Sequence, residues 1–428
     1  MREQTAALRL TQYWPRRYTL VLLSFGAVFI CYMDRVNISV AIIPMSAQLG
    51  WDPATQGTVL SAFFVGYLAT QVIGGRLADR FGGKVVLGIG VLSWSVFTML
   101  TPIAAVGGFT ALLFARIGMG IGEGVTFPSI YSLFGRWLPK AESARAIGVI
   151  FSAIPLGSVF ALLITPIVVI KWGWAWAFYS FGAVGVVWWW FWHTRITANP
   201  EQHPTIGAHE RNAISAPPVL SETSRPPTLR ELLSCGPVWA IIVGHFCTNW
   251  GGYVLLAWMP TYITKGLGVD FASVGIFAVI PSLCSFLFLN VAGWFADRLI
   301  SRGWDVTTAR KTMQTIGFGG AATTLMFVGY IHNAPAAIAL MSVGSILGAC
   351  AAGGFGVNHL DVAPRYAGVL MGLSNTAGTL PGIIGVYVSG LILNYTQSWT
   401  LVFQVAAGIY LFGMVFYLIF ASGKRLFE

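Results

Sequence analysis

Four charged residues lie within long apolar runs of the sequence. Asp34 and Arg35 are adjacent in the run LVLLSFGAVFICYMDRVNISVAII, and Arg116 and Glu123 lie in GGFTALLFARIGMGIGEGVTF. Each such charge costs about 2.5–3.5 kcal/mol at the centre of a helix inserted into a bilayer. A chain that keeps all four is expected to use them, so these residues are the first candidates for a mechanism.

The spacing of these residues suggests how they share a site. Arg116 and Glu123 are seven positions apart, close to two helical turns, so both side chains project from one helix face. Asp34 and Arg35 project about 100° apart on a helix. This pattern favours Asp34 or Glu123 as the partner of Arg116, with Arg35 facing a cavity. The alternative is a closed salt-bridge network that only fixes helix packing.

The same four residues are suited to binding an anion together with a proton. Protonation of either carboxylate, Asp34 or Glu123, leaves one net positive charge in a medium of low dielectric constant, which attracts a carboxylate or a phosphate. Arg35 and Arg116 are the candidate anion ligands, because a guanidinium makes bidentate contacts and stays protonated when it is desolvated. Proton and anion then bind cooperatively, which predicts symport.

The composition places these charges in a membrane protein. Hydrophobic residues make up 56% of the chain and charged residues 9%, with a mean hydropathy of +0.72, whereas a soluble domain carries about 25% charged residues. Long apolar runs predict twelve transmembrane helices. The predicted spans are 18–43, 56–78, 84–104, 108–131, 146–168, 173–193, 237–262, 271–296, 311–331, 335–356, 366–391 and 398–421.

The distribution of basic residues predicts the orientation. On one side of the proposed spans, the loops contain only Lys171 and Lys265 among the basic residues, and the remaining basic loop residues lie on the other side. Both termini are therefore predicted to be cytoplasmic. The net charge of +10 is interpreted as topology and contact with anionic lipid, not as nucleic-acid binding. No removable signal peptide is predicted.

The chain carries signs of an internal duplication. GGRLADRFGG at 74–83 recurs as AGWFADRLIS at 292–301, about half the chain later, and a proline-rich polar stretch separates the spans six and six. We predict two six-helix bundles, 1–193 and 237–428, joined by a cytoplasmic linker, 194–236. Such halves can rock about a central site. The candidate gating residues in the two repeated loops are Asp79, Arg80, Asp297 and Arg298.

The repeated loop resembles a motif of the major facilitator superfamily, in the segment Gly75-Arg-Leu-Ala-Asp-Arg-Phe-Gly-Gly-Lys84. The segments YMDRVNISVAI (32–42), NWGGYVLLAWMPTY (249–262) and GVNHLDVAPRYAGVLMGLSNTAGTLPG (356–382) are similar to its anion:cation symporter family. That family includes sialin, vesicular glutamate, plastid phosphate and bacterial sugar-acid transporters. The resemblance covers essentially the whole chain and implies the major facilitator fold and transport of an organic or inorganic anion.

The resemblance also assigns residues. It implies a first-span arginine at Arg35, a fourth-span arginine and glutamate at Arg116 and Glu123, a protonatable aspartate at Asp34, and two substrate-lining residues, Tyr67 and Asn375. The vesicular glutamate transporters carry a histidine where Leu60 stands and an arginine where Thr248 stands, so a glutamate carrier is not expected. Further candidates for hydrogen bonds to the substrate, with interhelical hydrogen bonds as the alternative, are Gln71, Asn249, Tyr253 and Ser374.

The sequence thus predicts a proton-coupled symporter of a small organic anion, a sugar acid or related carboxylate, in a bacterial inner membrane. The first alternative is an inorganic phosphate transporter coupled to sodium or protons. A membrane-embedded enzyme or sensor is the alternative from another class, and no HExxH, GxSxG or P-loop motif favours it. No cofactor and no metal site are expected. The five cysteines are interpreted as small core residues. A monomer is compatible with this architecture.

Overall fold

In the computed structural model of the protein, residues 14–207, 210–211, 214, 228–364 and 366–427 are described. Every regular element in that part of the chain is a helix, because a backbone in lipid must satisfy its own hydrogen bonds. Eight helical segments are long and apolar enough to cross a membrane, or nine if the bent pair Pro53–Gln71 and Ile73–Phe81 is one span. Each of the twelve predicted spans overlaps a helix, so the all-α membrane class is confirmed.

The first half of the described chain contains seven α-helices. They are α1 (Arg16–Leu49), α2 (Pro53–Phe81), α3 (Gly83–Gly107), α4 (Phe109–Gly124), α5 (Thr126–Trp137), α6 (Lys140–Trp172) and α7 (Trp174–Arg195). The predicted span 108–131 is divided here, because α4 ends at Gly124 and α5 begins two residues later. Pro128 explains the break, since a proline ring clashes with the carbonyl four residues before it, which is that of Gly124.

The second half contains eight further α-helices within the described residues. They are α8 (Leu229–Leu233), α9 (Gly236–Thr261), α10 (Val274–Ser301), α11 (Val306–Val328), α12 (Ala334–Gly348), α13 (Phe355–Val362), α14 (Ala367–Thr396) and α15 (Trp399–Phe420). The predicted span 335–356 is also divided, by a short 3₁₀ turn at Ala349–Ala352 within a glycine- and alanine-rich stretch. Helical structure then continues past residue 356 to Val362.

Contacts between Cα atoms divide the chain into two compact units, which differ from the two predicted halves. Unit 1 comprises Met1–Arg35, Gly66–Phe160 and Phe178–Ser221, and unit 2 comprises Val36–Val65, Ala161–Ala177 and Glu222–Glu428. Unit 2 therefore contains the second part of α1 and the first part of α2. The predicted domain boundaries stay predictions, and in the linker 194–236 the residues 208–209, 212–213 and 215–227 lie outside the described part.

Glycines bring the helices of unit 1 into backbone contact. A Cβ atom at Gly157 of α6 would overlap the carbonyl of Phe29 in α1, and one at Gly66 of α2 would overlap the carbonyl of Ile117 in α4. Small residues at such crossings allow the close approach that helix association in membranes depends on. These contacts join α6 to α1 and α2 to α4, and α1 and α4 are the helices that carry the four buried charges.

Candidate functional site

The four charged residues predicted from the sequence lie deep in unit 1. Asp34 and Arg35 are on α1, and Arg116 and Glu123 are on α4. Their exposed fractions are 1%, 3%, 2% and 0%, respectively. The buried position predicted for all four is therefore present in the structure, and it is shared by two helices that lie far apart in the sequence.

Arg35 is held by Glu123 and by two aromatic rings. Its Nη2 and Nε lie 2.8 and 3.2 Å from Oε2 of Glu123. The guanidinium carbon is 4.6 Å from the ring centroid of Tyr32 and 4.8 Å from that of Tyr67, which is cation–π range. Of the expected arrangements, a Glu123–Arg116 pair with Arg35 facing a cavity is thus wrong, because the carboxylate of Glu123 reaches α1 and binds Arg35.

Cys31 is a member of this cluster that sequence reasoning missed. Its Sγ donates to Oε2 of Glu123 at 3.1 Å and lies 3.6 Å from Nη2 of Arg35. The sequence placed this cysteine only in the core. A usable signal was its position four residues before Arg35, which puts both on one face of α1.

Asp34 has a different environment from Glu123, although both carboxyl groups are buried. Neither carboxyl oxygen of Asp34 has a hydrogen-bond partner among the described residues. The indole of Trp94 lies close to this carboxyl group, but its nitrogen completes no hydrogen bond in the described part of the chain. A buried carboxylate without donors is unfavourable as an ion, so the two acids are chemically distinct.

Arg116 and the glycines around it pack α4 between its neighbours. The guanidinium Nη1 of Arg116 lies 3.1 Å from the sulfur of Met119, one turn along α4. A Cβ at Gly122 would lie 2.9 Å from the carbonyl of Gly90 in α3, and one at Gly124 would overlap the hydroxyl of Thr70 in α2. Close helix packing therefore accounts for glycine at both positions.

The remaining polar candidates divide between the units. Tyr67 and Gln71 lie on α2 in unit 1, and Tyr67 is the one that contacts Arg35. In unit 2, Asn249 of α9 donates to the carbonyl of Gly378 at 2.8 Å, an interhelical hydrogen bond to α14. Tyr253 packs on Phe64 with a centroid distance of 4.5 Å, and Asn375 is half-buried on α14.

Ser374 does not face open space in this conformation. It is fully buried, and its hydroxyl contacts Nδ1 of His245 at 3.1 Å, Nε2 of His359 at 2.9 Å and the carbonyl of Met371 at 3.1 Å. His359 lies on α13 and is 2% exposed.

Asp361, two residues after His359 on α13, forms an ion pair with an arginine of another helix. Arg310 of α11 makes a bidentate contact with it, Nε to Oδ2 at 2.7 Å and Nη2 to Oδ1 at 3.2 Å. Arg310 also donates to the carbonyl of Gly353 at 3.2 Å. A bidentate arginine fixes the orientation of a carboxylate, so this pair ties α13 to α11.

The candidate gating residues lie at the ends of two helices. Asp79 and Arg80 lie in the last turn of α2, and Asp297 and Arg298 lie in the last turns of α10, all exposed. Ion pairs within the described residues join Arg17 to Glu142 and Glu210, Arg35 to Glu123, and Arg310 to Asp361. None of these pairs includes a candidate gating residue, so the gating role stays a prediction.

Within unit 2, α2 and α14 touch backbone to backbone. A Cβ at Gly390 of α14 would lie 2.6 Å from the carbonyl of Pro53 and 3.0 Å from the Cα of Gly57. Further along, a Cβ at Gly382 would overlap the ring of Phe64. The two helices are therefore sealed against each other along this stretch.

Among the described residues, no group of three His, Cys, Asp or Glu side chains is placed to hold a metal ion.

Comparison with known proteins gives a consistent result. The family model of the Major Facilitator Superfamily matches residues 24–386. The chain is 44% identical over 415 residues to the sodium-dependent phosphate transport protein 1, chloroplastic, of Arabidopsis thaliana, covering 97% of this chain and 81% of that protein. It is 43% identical over 420 residues to the ascorbate transporter, chloroplastic, of the same plant, covering 97% and 77%.

A more distant relative and a solved structure extend the likeness. Sialin of Ovis aries is 35% identical over 445 residues, covering 95% of this chain and 90% of that protein. The crystal structure of a bacterial homologue of the human lysosomal transporter Spinster, inward-facing and occupied, has a TM-score of 0.77 at 17% identity and covers 95% and 97% of the two chains. At that identity the likeness concerns the fold.

Proposed function

The chain belongs to the Major Facilitator Superfamily, and from this membership we propose that it is a secondary active transporter that carries a small organic anion together with a proton by alternating access. It is an integral membrane protein whose relatives are anion transporters. An anionic solute is therefore its substrate class. Proton coupling and the choice of an organic anion are the proposed parts, and the environment of the two buried acids supports them.

The unequal environments of Asp34 and Glu123 are the observation that carries the proposal. Glu123 accepts hydrogen bonds from Arg35 and Cys31, which favour its ionised form. Asp34 has no donor among the described residues, which favours its protonated form. With Asp34 neutral, Arg35, Arg116 and Glu123 leave one net positive charge in the buried cluster.

This charge provides the coupling. An anion that reaches the cluster compensates the positive charge, and loss of the proton from Asp34 removes the charge that holds the anion. Each ligand thus raises the affinity for the other, by the same factor in both directions. Arg35 and Arg116 are the positive charges we assign to the anion, and the guanidinium of Arg35 is positioned by Glu123 and by the rings of Tyr32 and Tyr67.

Inorganic phosphate with sodium is the second candidate. The Arabidopsis relative named for sodium-dependent phosphate transport is 44% identical, at least as similar as the one named for ascorbate at 43%. Guanidinium groups bind carboxylate and phosphate with the same bidentate geometry. The two candidates therefore differ in the coupling ion and in the polar groups that contact the rest of the substrate.

Location in a bacterial inner membrane, with both termini cytoplasmic, stays part of the proposal. The two relatives from Arabidopsis carry a chloroplast location in their names. The positive-inside distribution of basic residues supports the orientation. Protease protection of a tag at either terminus, in inverted and right-side-out vesicles, measures it.

Uptake into proteoliposomes that contain only this protein tests the function. Labelled ascorbate, hexonates, hexuronates, sialic acid, dicarboxylates, glutamate and phosphate are offered under an inward proton gradient, an inward sodium gradient, or neither. We expect an organic anion to accumulate with the proton gradient alone. Accumulation of phosphate alone, driven by sodium, would overturn both proposed parts and leave the anion class intact.

A further inference from the structure

Trp94 and Asp34 are neighbouring buried groups of unit 1 that do not satisfy each other's hydrogen bonds. Trp94 on α3 is 0% exposed and Asp34 on α1 is 1% exposed. The indole lies against the carboxyl group, yet neither the indole nitrogen nor either carboxyl oxygen completes a hydrogen bond among the described residues. Buried tryptophan N–H groups normally find an acceptor, so a donor and two open acceptors side by side require an explanation.

Close helix packing holds the indole in this position. A Cβ atom at Gly122 of α4 would lie 2.9 Å from the backbone nitrogen of Trp94 and 3.1 Å from its Cβ. On another side of α3, a Cβ at Gly185 of α7 would overlap the hydroxyl of Ser95. The backbone of α3 is therefore fixed against two helices at Trp94 and at the next residue, and the indole stays beside Asp34.

Ionisation of Asp34 would change what this carboxyl group needs. A carboxylate only accepts hydrogen bonds, and a buried one is unfavourable without donors. The guanidinium of Arg35 is bound by Glu123, whereas the N–H of Trp94 has no acceptor in the described part of the chain. A hydrogen bond to an ionised acceptor is roughly twice as strong as one between neutral groups. The indole is thus a donor that becomes useful when the proton leaves.

We propose that Trp94 is a positioning residue of the proton site, whose indole N–H donates to Asp34 when that carboxyl group loses its proton and lets go when the proton returns. The tryptophan then stabilises the proton-free form of the site. This inference rests on the proposed function for the part that Asp34 plays in transport. The hydrogen bond between the two side chains is a property of unit 1 alone.

Other titratable groups act on Asp34 from the helices around it. Glu123 and Arg116 of α4 carry opposite charges, and the thiol of Cys31 lies one turn earlier on α1. On α2, α3 and α7, the other titratable side chains closest in sequence to the contacts described here are Tyr67, Lys84 and Tyr179. Because the charges of Glu123 and Arg116 oppose each other, a directed hydrogen bond from the neutral indole should weigh strongly in how readily the carboxylate forms.

The first test follows both groups by NMR in full-length protein labelled with ¹⁵N-tryptophan and ¹³C-aspartate and reconstituted in lipid. Spectra are recorded between about pH 5 and about pH 9, a range that includes buried carboxyl groups. Comparison with Trp94→Phe and Asp34→Asn identifies the two resonances. We expect the indole proton of Trp94 to move downfield with the same pH midpoint as the Asp34 carboxyl carbon, and to be independent of pH in Asp34→Asn.

A matched pair of substitutions provides the second test. Trp94→Phe removes the N–H and keeps an aromatic ring, so the midpoint of the Asp34 titration should rise by about one to two pH units. Trp192→Phe is the control, because Trp192 is 1% exposed and its indole already donates to the carbonyl of Lys84 on α3 at 2.9 Å. Its loss should leave the midpoint unchanged. Equal shifts in both variants would overturn the proposal in favour of packing, and if Trp94→Phe fails to fold, the indole titration in wild type decides.

Transport by the same preparations separates this inference from the proposed function. If a proton gradient drives anion uptake that Asp34→Asn abolishes, while the Trp94 indole stays constant as Asp34 titrates, the inference is overturned and the proposed function stands. If the indole follows Asp34 while only sodium drives uptake, the hydrogen bond stands and proton coupling fails. An Asp34 carboxyl group that never titrates within that pH range would overturn both.

Discussion

Arg35 contacts a single oxygen of Glu123 with two of its nitrogens, at 2.8 and 3.2 Å, and both side chains are at least 97% buried. Cys31 donates to the same oxygen at 3.1 Å. A buried ion pair is a weak contributor to stability as a whole, but removal of one partner leaves an uncompensated buried charge. The consequences of changing Glu123 and Asp34 therefore differ, although both are acids in one cluster.

Glu123→Gln is expected to destabilise the protein and to alter transport. The substitution leaves the Arg35 charge without its carboxylate, at a cost of about 3–5 kcal/mol. Thermal unfolding of the purified protein measures the stability, and counterflow exchange in proteoliposomes measures binding. Glu142→Gln is the control. Glu142 pairs with Arg17, and its side chain is 31% exposed, so this pair is expected to contribute about 1 kcal/mol or less to stability. Equal losses from the two variants would contradict the buried-pair interpretation.

Asp34→Asn is expected to spare stability and abolish gradient-driven accumulation. Asparagine replaces a neutral acid by a neutral amide of the same shape, so the unfolding free energy should change by no more than about 1 kcal/mol. Anion exchange should persist, because the net positive charge of the cluster is kept, whereas accumulation needs a group that releases its proton. Loss of exchange together with a large loss of stability would show that Asp34 is ionised and paired.

Helix crossing in unit 1 depends on the glycine at 157. Gly157→Ala would place a methyl group against the carbonyl of Phe29, and overpacking of this kind costs about 1–3 kcal/mol. Gly148→Ala is the matched control on the same helix, since its Cβ would meet nothing within 4 Å and alanine is the better helix former by about 1 kcal/mol. Thermal unfolding in detergent should therefore shift in opposite directions for the two variants. Parallel shifts would contradict the close contact between α6 and α1.

The amino-acid sequence was sufficient to predict the helices and the burial of the four charges. The length of an apolar run and the presence of a charge within it are local properties of the sequence. It did not predict that Arg35, and not Arg116, binds Glu123, since that choice depends on how α1 and α4 cross. The same limit applies to His245 and His359, which are 114 residues apart and meet only through Ser374. Breaks such as the one after Gly124 were readable from Pro128 in principle, but the surrounding apolar run predicted one continuous span.

The stability of the first turn of α2 is expected to depend on pH, through the carboxyl group of Asp52. Hydrogen bonds from the side chain and the backbone N–H of Thr55 to Asp52 lower the pKa of that carboxyl group, and the backbone contact is 2.7 Å. A lowered folded-state pKa means that the stabilisation is present above the unfolded value of about 3.9 and is lost as pH falls through the folded value. Amide hydrogen exchange in the first turn of α2 should accelerate below about pH 4.

Substitutions at Asp52 separate capping from charge. Asp52→Ala should weaken the first turn by about 1 kcal/mol at neutral pH, because the cap is lost. Asp52→Asn should retain most of the cap and lose the acceleration at low pH, since its amide does not titrate. Exchange rates at Thr55 that are independent of both substitutions would contradict the capping role.

The contact between α2 and α14 gives a prediction about the transport cycle. Gly390→Ala would place a methyl group 2.6 Å from the carbonyl of Pro53 and force the two helices apart in unit 2, at a cost of about 1–3 kcal/mol. If alternating access opens this seam, the substitution lowers the population of the sealed conformation by about 5–150-fold relative to the open one.

The measurement is the accessibility of the seam. A cysteine introduced as Thr58→Cys should then react faster with a membrane-impermeant maleimide. Gly372→Ala, on the same helix with nothing within 4 Å of its Cβ, should leave the rate unchanged. An unchanged rate in Gly390→Ala, in protein that unfolds at a lower temperature, would mean that the seam is a static packing contact and that access alternates elsewhere.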